Sequence, residues 1–332
     1  MVIIFYAADT HCCGHIRGEE LARVVNGKGQ DSIIVKTNVM KSDFGLADVM
    51  VFQRQMTETV YDKMMYAKSL GIRTVYDIDD NLMEVPDNLG DVSDALAKPE
   101  IAQCIIKFLR GADLVTTASA SLAYAARKYC DTPVCVLKNG ICIEDWKKTE
   151  SHSNAPVIGW MGSRTHIADA EMVSDPLRQV MQDTDARLKL IGWVGEKEFP
   201  WLKDFSGRVD VIDWVEINSL PAVMADLDIG IAPLINTYFN QCKSSIKWMQ
   251  YSALGIPAVV SPIPPYIEDV EHLRNGVFAG SQEDWYYQIK WLVEHPHARA
   301  VVGGNALKDV TEKHTTTHRA AELLAVCREL GK

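Results

Sequence analysis

Lys243, Ser244, Ser245 and Lys247 fall within five positions, just before a helical pattern that closes at Gly255. At a helix start, free backbone N–H groups, hydroxyls and two cations together suit a phosphate or diphosphate. Serine capping beside solvated lysines explains the same residues, and the spacing does not choose between the two. A second group is Asp77, Asp79 and Asp80 in TVYDIDDN, at the end of a run that reads as a strand. Asp77 and Asp79 alternate to one face, with Asp80 on the turn. A carboxylate there can hydrogen-bond or deprotonate an acceptor hydroxyl, with Asp79 or Asp80 as the candidate, while turn chemistry before Asn81 is the alternative. The third group is the loop DTHCCGH. His11 and His15 read either as acceptor contacts or as loop residues. Adjacent Cys12 and Cys13 are a redox or metal candidate. Gly14 either lets a backbone approach a ligand or makes a tight turn.

The elements that position these groups alternate regularly. VIIFYA, DSIIVKT, DVMVFQR, RTVYDID, DLVTTAS and PVCVLKNG read as strands. Between them lie helical patterns over His15 to Val25, TETVYDKMMYAKSL, Glu100 to Arg110 and SLAYAARKY. After a polar, aperiodic stretch, KKTESHSNAP, the alternation restarts with VIGWMG, a helix over Ile167 to Gln182, then ARLKLIGW, VDVIDWV, DIGIAPL and IPAVVSP. From Gln282 onward the pattern is almost wholly helical. Strands alternating with helices of this length predict parallel sheets. The expectation is an α/β chain of two tandem doubly wound, Rossmann-like domains, 1–150 and 151–315, with a cleft between them. A helix over 316–332 is expected to pack back toward the first domain. In such sheets ligands bind beyond the carboxyl ends of the strands.

Composition limits the function. The 332 residues carry 34 Lys+Arg against 44 Asp+Glu, a net charge of −10, and neither half is basic. Residues 1–150 hold 17 cations against 21 anions, and the remainder 17 against 23. A phosphate site must therefore be a local cluster, and the balance argues against a whole-surface nucleic-acid or membrane binder, though not against a local basic groove. No apolar run is long enough for a membrane span and the start does not read as a signal peptide, so the expected location is cytoplasmic. The eight cysteines show no zinc spacing and read as reduced thiols. Trp160 and Trp193 each follow a strand, where they pack or stack on a base or sugar.

The segment K-S-x-I-K-x-x-x-Y-x-A-x-G-I-P-x-V-x-S from Lys243 resembles the donor-binding segment of GT-B glycosyltransferases, in particular the large retaining family with two Rossmann-like domains (glycosyl transferases group 1). N-G-I-x-x-x-x-W at Asn139 to Trp146, G-W-M-G-S-x-T-H at Gly159 to His166 and P-P-Y at Pro264 to Tyr266 extend the resemblance. It implies transfer of a sugar from a nucleotide-diphosphate sugar, UDP-linked first among them, to an acceptor hydroxyl, with retention and no metal or other cofactor. It implies donor contacts at Gly14, Gly162, Ser163, Arg164, Lys243, Ser244 and Gln250, beside which Ser245 and Lys247 share the same helix start; His166 is a catalytic candidate by its motif position, with Asp169 one turn beyond, and Asp79 and Asp80 are the catalytic candidates of the acidic cluster. The family's Glu-x7-Glu pair is replaced here by Cys242 and Gln250. A Gln amide still meets ribose hydroxyls, without charge assistance. The metal-binding Asp-x-Asp of single-domain glycosyltransferases is opposed by the tandem topology. The acceptor stays open among glycans, small molecules and hydroxymethylated DNA bases; the last, a virus-type activity, needs a groove built from Arg17, Arg23, Arg54, Arg73, Arg127 and Lys128. A GT-B-fold nucleotide-sugar epimerase and a non-catalytic nucleotide-sugar-binding protein also remain. Oligomeric state is left open.

Overall fold

The computed structural model describes residues 1–27, 29–86, 89, 95–149, 155–192, 197 and 199–330. Two six-stranded parallel sheets follow one another along the chain. The first has the order β2-β1-β3-β4-β5-β6, from β1 (Val2–Ala7), β2 (Ser32–Lys36), β3 (Val49–Gln53), β4 (Arg73–Ile78), β5 (Leu114–Thr117) and β6 (Val134–Val136). The second has the order β12-β11-β10-β7-β8-β9, from β7 (Val157–Gly162), β8 (Arg187–Gly192), β9 (Val209–Ile212), β10 (Ile229–Ala232), β11 (Ala258–Val260) and β12 (Val277–Phe278).

The strands are apolar along their length because both faces of each sheet are covered. β1 sends Ile4 and Tyr6 into one apolar cluster, and Ile3, Phe5 and Ala7 into another on the opposite face. β7 divides Ile158 and Trp160 from Val157 and Met161 in the same way. Three details differ from the periodicity. β12, only two residues long, is too short to show a period. The helix expected over Ile167 to Gln182 is two helices, Ile167–Glu171 and Ser174–Asp183, since Pro176 has no N–H with which to continue the first. The helix after β1 starts earlier, with an α-helical turn at Cys12–Gly14, and passes through a π-helical turn, His15–Glu19, before Glu20–Asn26.

The chain passes between the halves twice, and the two crossings bond to each other. Ile141 N donates to His314 O at 2.9 Å and Thr316 N to Ile141 O at 3.0 Å. The helix Thr316–Leu330 then packs Ala320, Leu323 and Cys327 with Leu21, Ala22 and Val25 of the first half. Thr316 Oγ1 donates to Glu20 Oε2 at 2.8 Å beside that contact. The boundary expected at 150/151 and Trp193 lie outside the described residues.

Strand order reverses next to β1 and β3 in the first sheet, and next to β7 and β10 in the second. Ligands of open α/β sheets collect at the carboxyl ends of such strands. The loops there carry Asp9 after β1, Arg54 after β3, Asp79 and Asp80 after β4, and Ser163 after β7.

Candidate active site

A cavity of about 670 Å³ lies between these carboxyl ends. The first half lines it with Asp9, Arg17, Arg54, Asp79 and Asp80, the second with Gly162, Ser163, His166, Lys243, Ser244, Lys247 and Gln250. Nine of the twelve site residues expected from sequence thus share one cavity. Gly14, Arg164 and Ser245 are not among its lining residues. A Cβ on Gly14 would sit 1.8 Å from the Asp9 carbonyl oxygen, so the tight loop itself demands glycine there. Arg164 is exposed. The Ser245 hydroxyl donates to Asp269 Oδ2 at 2.5 Å, and Asp269 in turn holds Lys138 at 2.9 Å.

The second half supplies positive charge. The helix Ile246–Ala253 begins at the cavity, and Lys247 in its first turn packs over the Trp160 ring, 5.5 Å from the centroid. Its Nζ is buried and has no hydrogen-bond partner among the described residues. Burial presses this amine down to about 7, and nearby Lys243 adds to the effect. His166 Nδ1 lies 2.8 Å from Asp169 Oδ2. Burial and the Lys247 charge press the imidazole down to about 4, so it is neutral near pH 7. A neutral ring donating Nδ1–H to Asp169 presents Nε2 as an acceptor. Asp169 is a positioning residue: its Oδ1 also accepts from Ile235 N at 2.8 Å and Asn240 Nδ2 at 2.9 Å. β8 ends at Gly192, whose φ of 109° and close approach to Gly162 O, 2.0 Å from a built Cβ, exclude any side chain at the cavity floor.

The first half balances its charges internally. Arg54 holds a left-handed backbone (φ 51°), a conformation costing a non-glycine residue about 1–3 kcal/mol, and its N–H donates to Asp77 O at 2.8 Å. Its guanidinium lies 3.6 Å from Asp79 Oδ1 and 3.4 Å from Asp80 Oδ2, and donates to Cys13 Sγ at 3.2 Å. Asp80 reaches across the cleft to Lys243 Nζ at 3.2 Å. Burial alone would raise Asp80, but Lys243 and Arg54 outweigh it and hold the carboxyl at about 2. Asp79 goes the other way. Burial raises it despite Arg54, and its Oδ1 has no hydrogen-bond partner among the described residues. Burial also raises Cys13, keeping it a thiol. Among the described residues no group of three or more His, Cys, Asp or Glu is arranged to hold a metal ion. His11 lines the cavity near Glu216, at 3.5 Å, while His15 pairs with Glu19 at 2.8 Å outside it.

Asp77, Arg17 and Arg54 are where sequence reasoning fell short. Asp77 is sealed in a buried pair with Arg17 rather than facing ligand. Arg17, Arg23 and Arg54, entertained as members of a basic groove, are engaged by Asp77, Asp145 and the Asp79–Asp80 pair. Cys242, where the resemblance places a Glu, is fully buried in an apolar cluster of the first half, so no carboxylate fits there. Trp160 is a core residue carrying Lys247 on its ring. Arg54 and Gly192 had a readable signal, each standing at the carboxyl end of a strand.

Residues 170–325 match the sequence family described as glycosyl transferase-like. No curated protein matches the sequence significantly. Among solved structures, a sucrose-phosphate synthase from Thermosynechococcus elongatus superposes with a TM-score of 0.71 at 11% identity, over 99% of this chain and 98% of that one. Anabaena HepE, solved in complex with UDP-glucose, gives 0.71 at 15% identity over 98% and 100%. A glycosyltransferase from Rickettsia africae gives 0.72 at 11% identity over 100% and 98%. At such identities the likeness establishes the fold over the whole chain, and the family match covers its second half. The chain thus has the GT-B fold of these structures over its whole length, and its residues 170–325 are similar to glycosyl transferases.

Proposed function

We propose that the chain moves a sugar from a nucleotide-diphosphate sugar, UDP-linked first among them, to an acceptor hydroxyl, with retention of anomeric configuration and without a divalent metal. One observation carries this reading: the Lys247 Nζ is buried at the cavity with no hydrogen-bond partner among the described residues. An unpaired buried charge is costly in the free protein, and an anionic ligand removes that cost. A diphosphate leaving group gains negative charge as the anomeric bond breaks. Lys243, Lys247, Ser244 and the helix start oppose that charge where it develops. UDP-glucose in HepE supports the uridine choice. Asp79, raised by burial, hydrogen-bonds or deprotonates the acceptor hydroxyl; Asp80, held at about 2, is a poor base and instead anchors Lys243. Retention rests on the family resemblance. Among the described residues no helix is long and apolar enough to cross a membrane, and seven free thiols fit the reducing cytoplasm as the working compartment.

The test is a panel of nucleotide sugars with the purified chain, read by NMR for free sugar, nucleoside diphosphate and the anomeric form of any product. Slow donor hydrolysis, and an acceptor product with the donor's anomeric configuration, are expected. Inversion would overturn retention. Interconversion of donor sugars would replace transfer by epimerisation. Binding without turnover in the presence of acceptors would leave a binding protein, and no binding of any nucleotide sugar would sink the proposal.

A further inference from the structure

A serine hydroxyl at a ligand cavity can donate to the ligand or accept from it, and Ser244 lines this cavity. Which it does is set three residues away. Asp77 accepts two hydrogen bonds from Arg17, Nε at 2.6 Å and Nη2 at 2.5 Å, and a third from Thr116 Oγ1 at 2.6 Å. A guanidinium has donors alone, so whatever meets Arg17 Nη1 must accept. Its partners are Leu137 O at 3.0 Å and Asn139 Oδ1 at 2.8 Å. That fixes the orientation of the Asn139 amide, a matter geometry alone leaves ambiguous. The NH2 group then faces the second half and donates to Ser244 Oγ at 2.8 Å. Accepting from Asn139, the Ser244 hydroxyl has its own proton to give to a third partner.

We propose that Asp77, Arg17 and Asn139 form a positioning relay that presets the Ser244 hydroxyl as a hydrogen-bond donor to an anionic oxygen of the bound nucleotide diphosphate. This deepens the donor reading above and rests on it. The relay runs from the core of the first half to the donor helix of the second, so the preset donor exists only when the two halves are assembled. Arg17, Asp77 and Asn139 are all more than nine-tenths buried. A buried ion pair is a poor source of stability compared with apolar packing, and fixing a direction is the use such pairs serve best. Local structure holds the relay in register. Arg17 projects from the π-helical turn His15–Glu19, and a Cβ on Gly140 would lie 2.9 Å from Thr316 N, so the Asn139 segment is pressed against the start of the terminal helix.

Binding of UDP to the full chain, measured by calorimetry, tests the relay through a double-mutant cycle. In Asn139→Asp the atom facing Ser244 can only accept, so Ser244 must donate to it and has no proton for the ligand. Asn139→Asp and Ser244→Ala are each expected to weaken UDP roughly tenfold, the worth of one charge-assisted bond. The double variant should be no weaker than either alone. Ser244→Thr, which keeps the hydroxyl, should bind within about twofold of the natural chain. If Asn139→Asp binds UDP normally, or its loss persists undiminished on the Ser244→Ala background, the relay is wrong and the added charge explains the effect. Should Asn139→Asp not fold, Asn139→Ala in the same cycle reads the same coupling at smaller amplitude. Failure of the natural chain to bind UDP or any other nucleoside diphosphate is a different result: it removes the donor reading itself, and the relay with it.

Discussion

At the carboxyl ends of β3 and β4 the charges have opposites within reach: Asp77 has Arg17, and Asp79 and Asp80 share Arg54. In the second half, Lys247 at the start of the helix Ile246–Ala253 has a buried Nζ with no hydrogen-bond partner among the described residues. The same strand-end geometry is thus finished in two ways. One side is neutralised by the protein and suits an uncharged hydroxyl compound. The other is left short of negative charge and suits an anion. One ion pair that bridges them is Asp80–Lys243, which a bound diphosphate would compete for.

On the proposed function, chemistry falls to the first half and donor affinity to the second, so variants should split along that line. The largest effect expected is in Asp79→Asn. Loss of a general base or equivalent acceptor contact lowers turnover by about 10²–10⁴-fold. Affinity for the nucleoside diphosphate should change little, because the nearest donor-side contact belongs to Asp80. Steady-state turnover beside calorimetric binding separates the two. A parallel fall in both would merge the halves into one site, and no fall in either would make Asp79 structural.

Lys247→Met should do the reverse. Removing a buried charge that pairs with ligand costs about 2–5 kcal/mol of binding, so UDP affinity should drop on the order of 100-fold or more. The free chain should melt no lower, since the amine buried without a partner has gone. The same residue predicts proton linkage. With the free amine at about 7 and an anion favouring its charged form, binding between pH 7 and 9 must take up protons. Calorimetry in buffers of different ionisation heats should show that uptake, and Lys247→Arg, charged throughout, should abolish it. For the unliganded chain the sign is also fixed. A lysine lowered on folding contributes less stability below its folded value, so this group makes the chain more stable as pH rises above 7.

How much of this was legible follows from what a sequence encodes locally. The strands were readable because each is an uninterrupted apolar run covered on both faces. The donor segment was readable because its serines and lysines are consecutive at a helix start. Neither fact tells which cations are already neutralised. Arg17 and Arg54 look like surface charges in sequence, yet their partners lie 60 and 25 or more residues away, across strands that only the folded sheet places side by side. Ser245 and Ser244 are adjacent and chemically identical, and the helical turn sends one to Asp269 and the other to the cavity. Gly14 showed the opposite ambiguity: the glycine was right to notice, and a backbone carbonyl explains it.

Gln250 offers the finest test of the contrast between halves. It is buried at the cavity within the helix Ile246–Ala253, where the family resemblance expects a ribose-binding Glu. A carboxylate accepts from hydroxyls more strongly than an amide does, so Gln250→Glu should tighten UDP by roughly three- to tenfold if the ribose sits there. Burying a new carboxylate opposes folding, so the free chain should melt lower while the UDP complex recovers part of the loss. Comparing UDP with its 2′-deoxy form isolates the sugar hydroxyl: the gain should shrink when that hydroxyl is missing. Equal tightening of both nucleotides would trace the gain to general electrostatics, and weaker binding of both would show that this helix meets phosphate alone, moving the ribose away from Gln250.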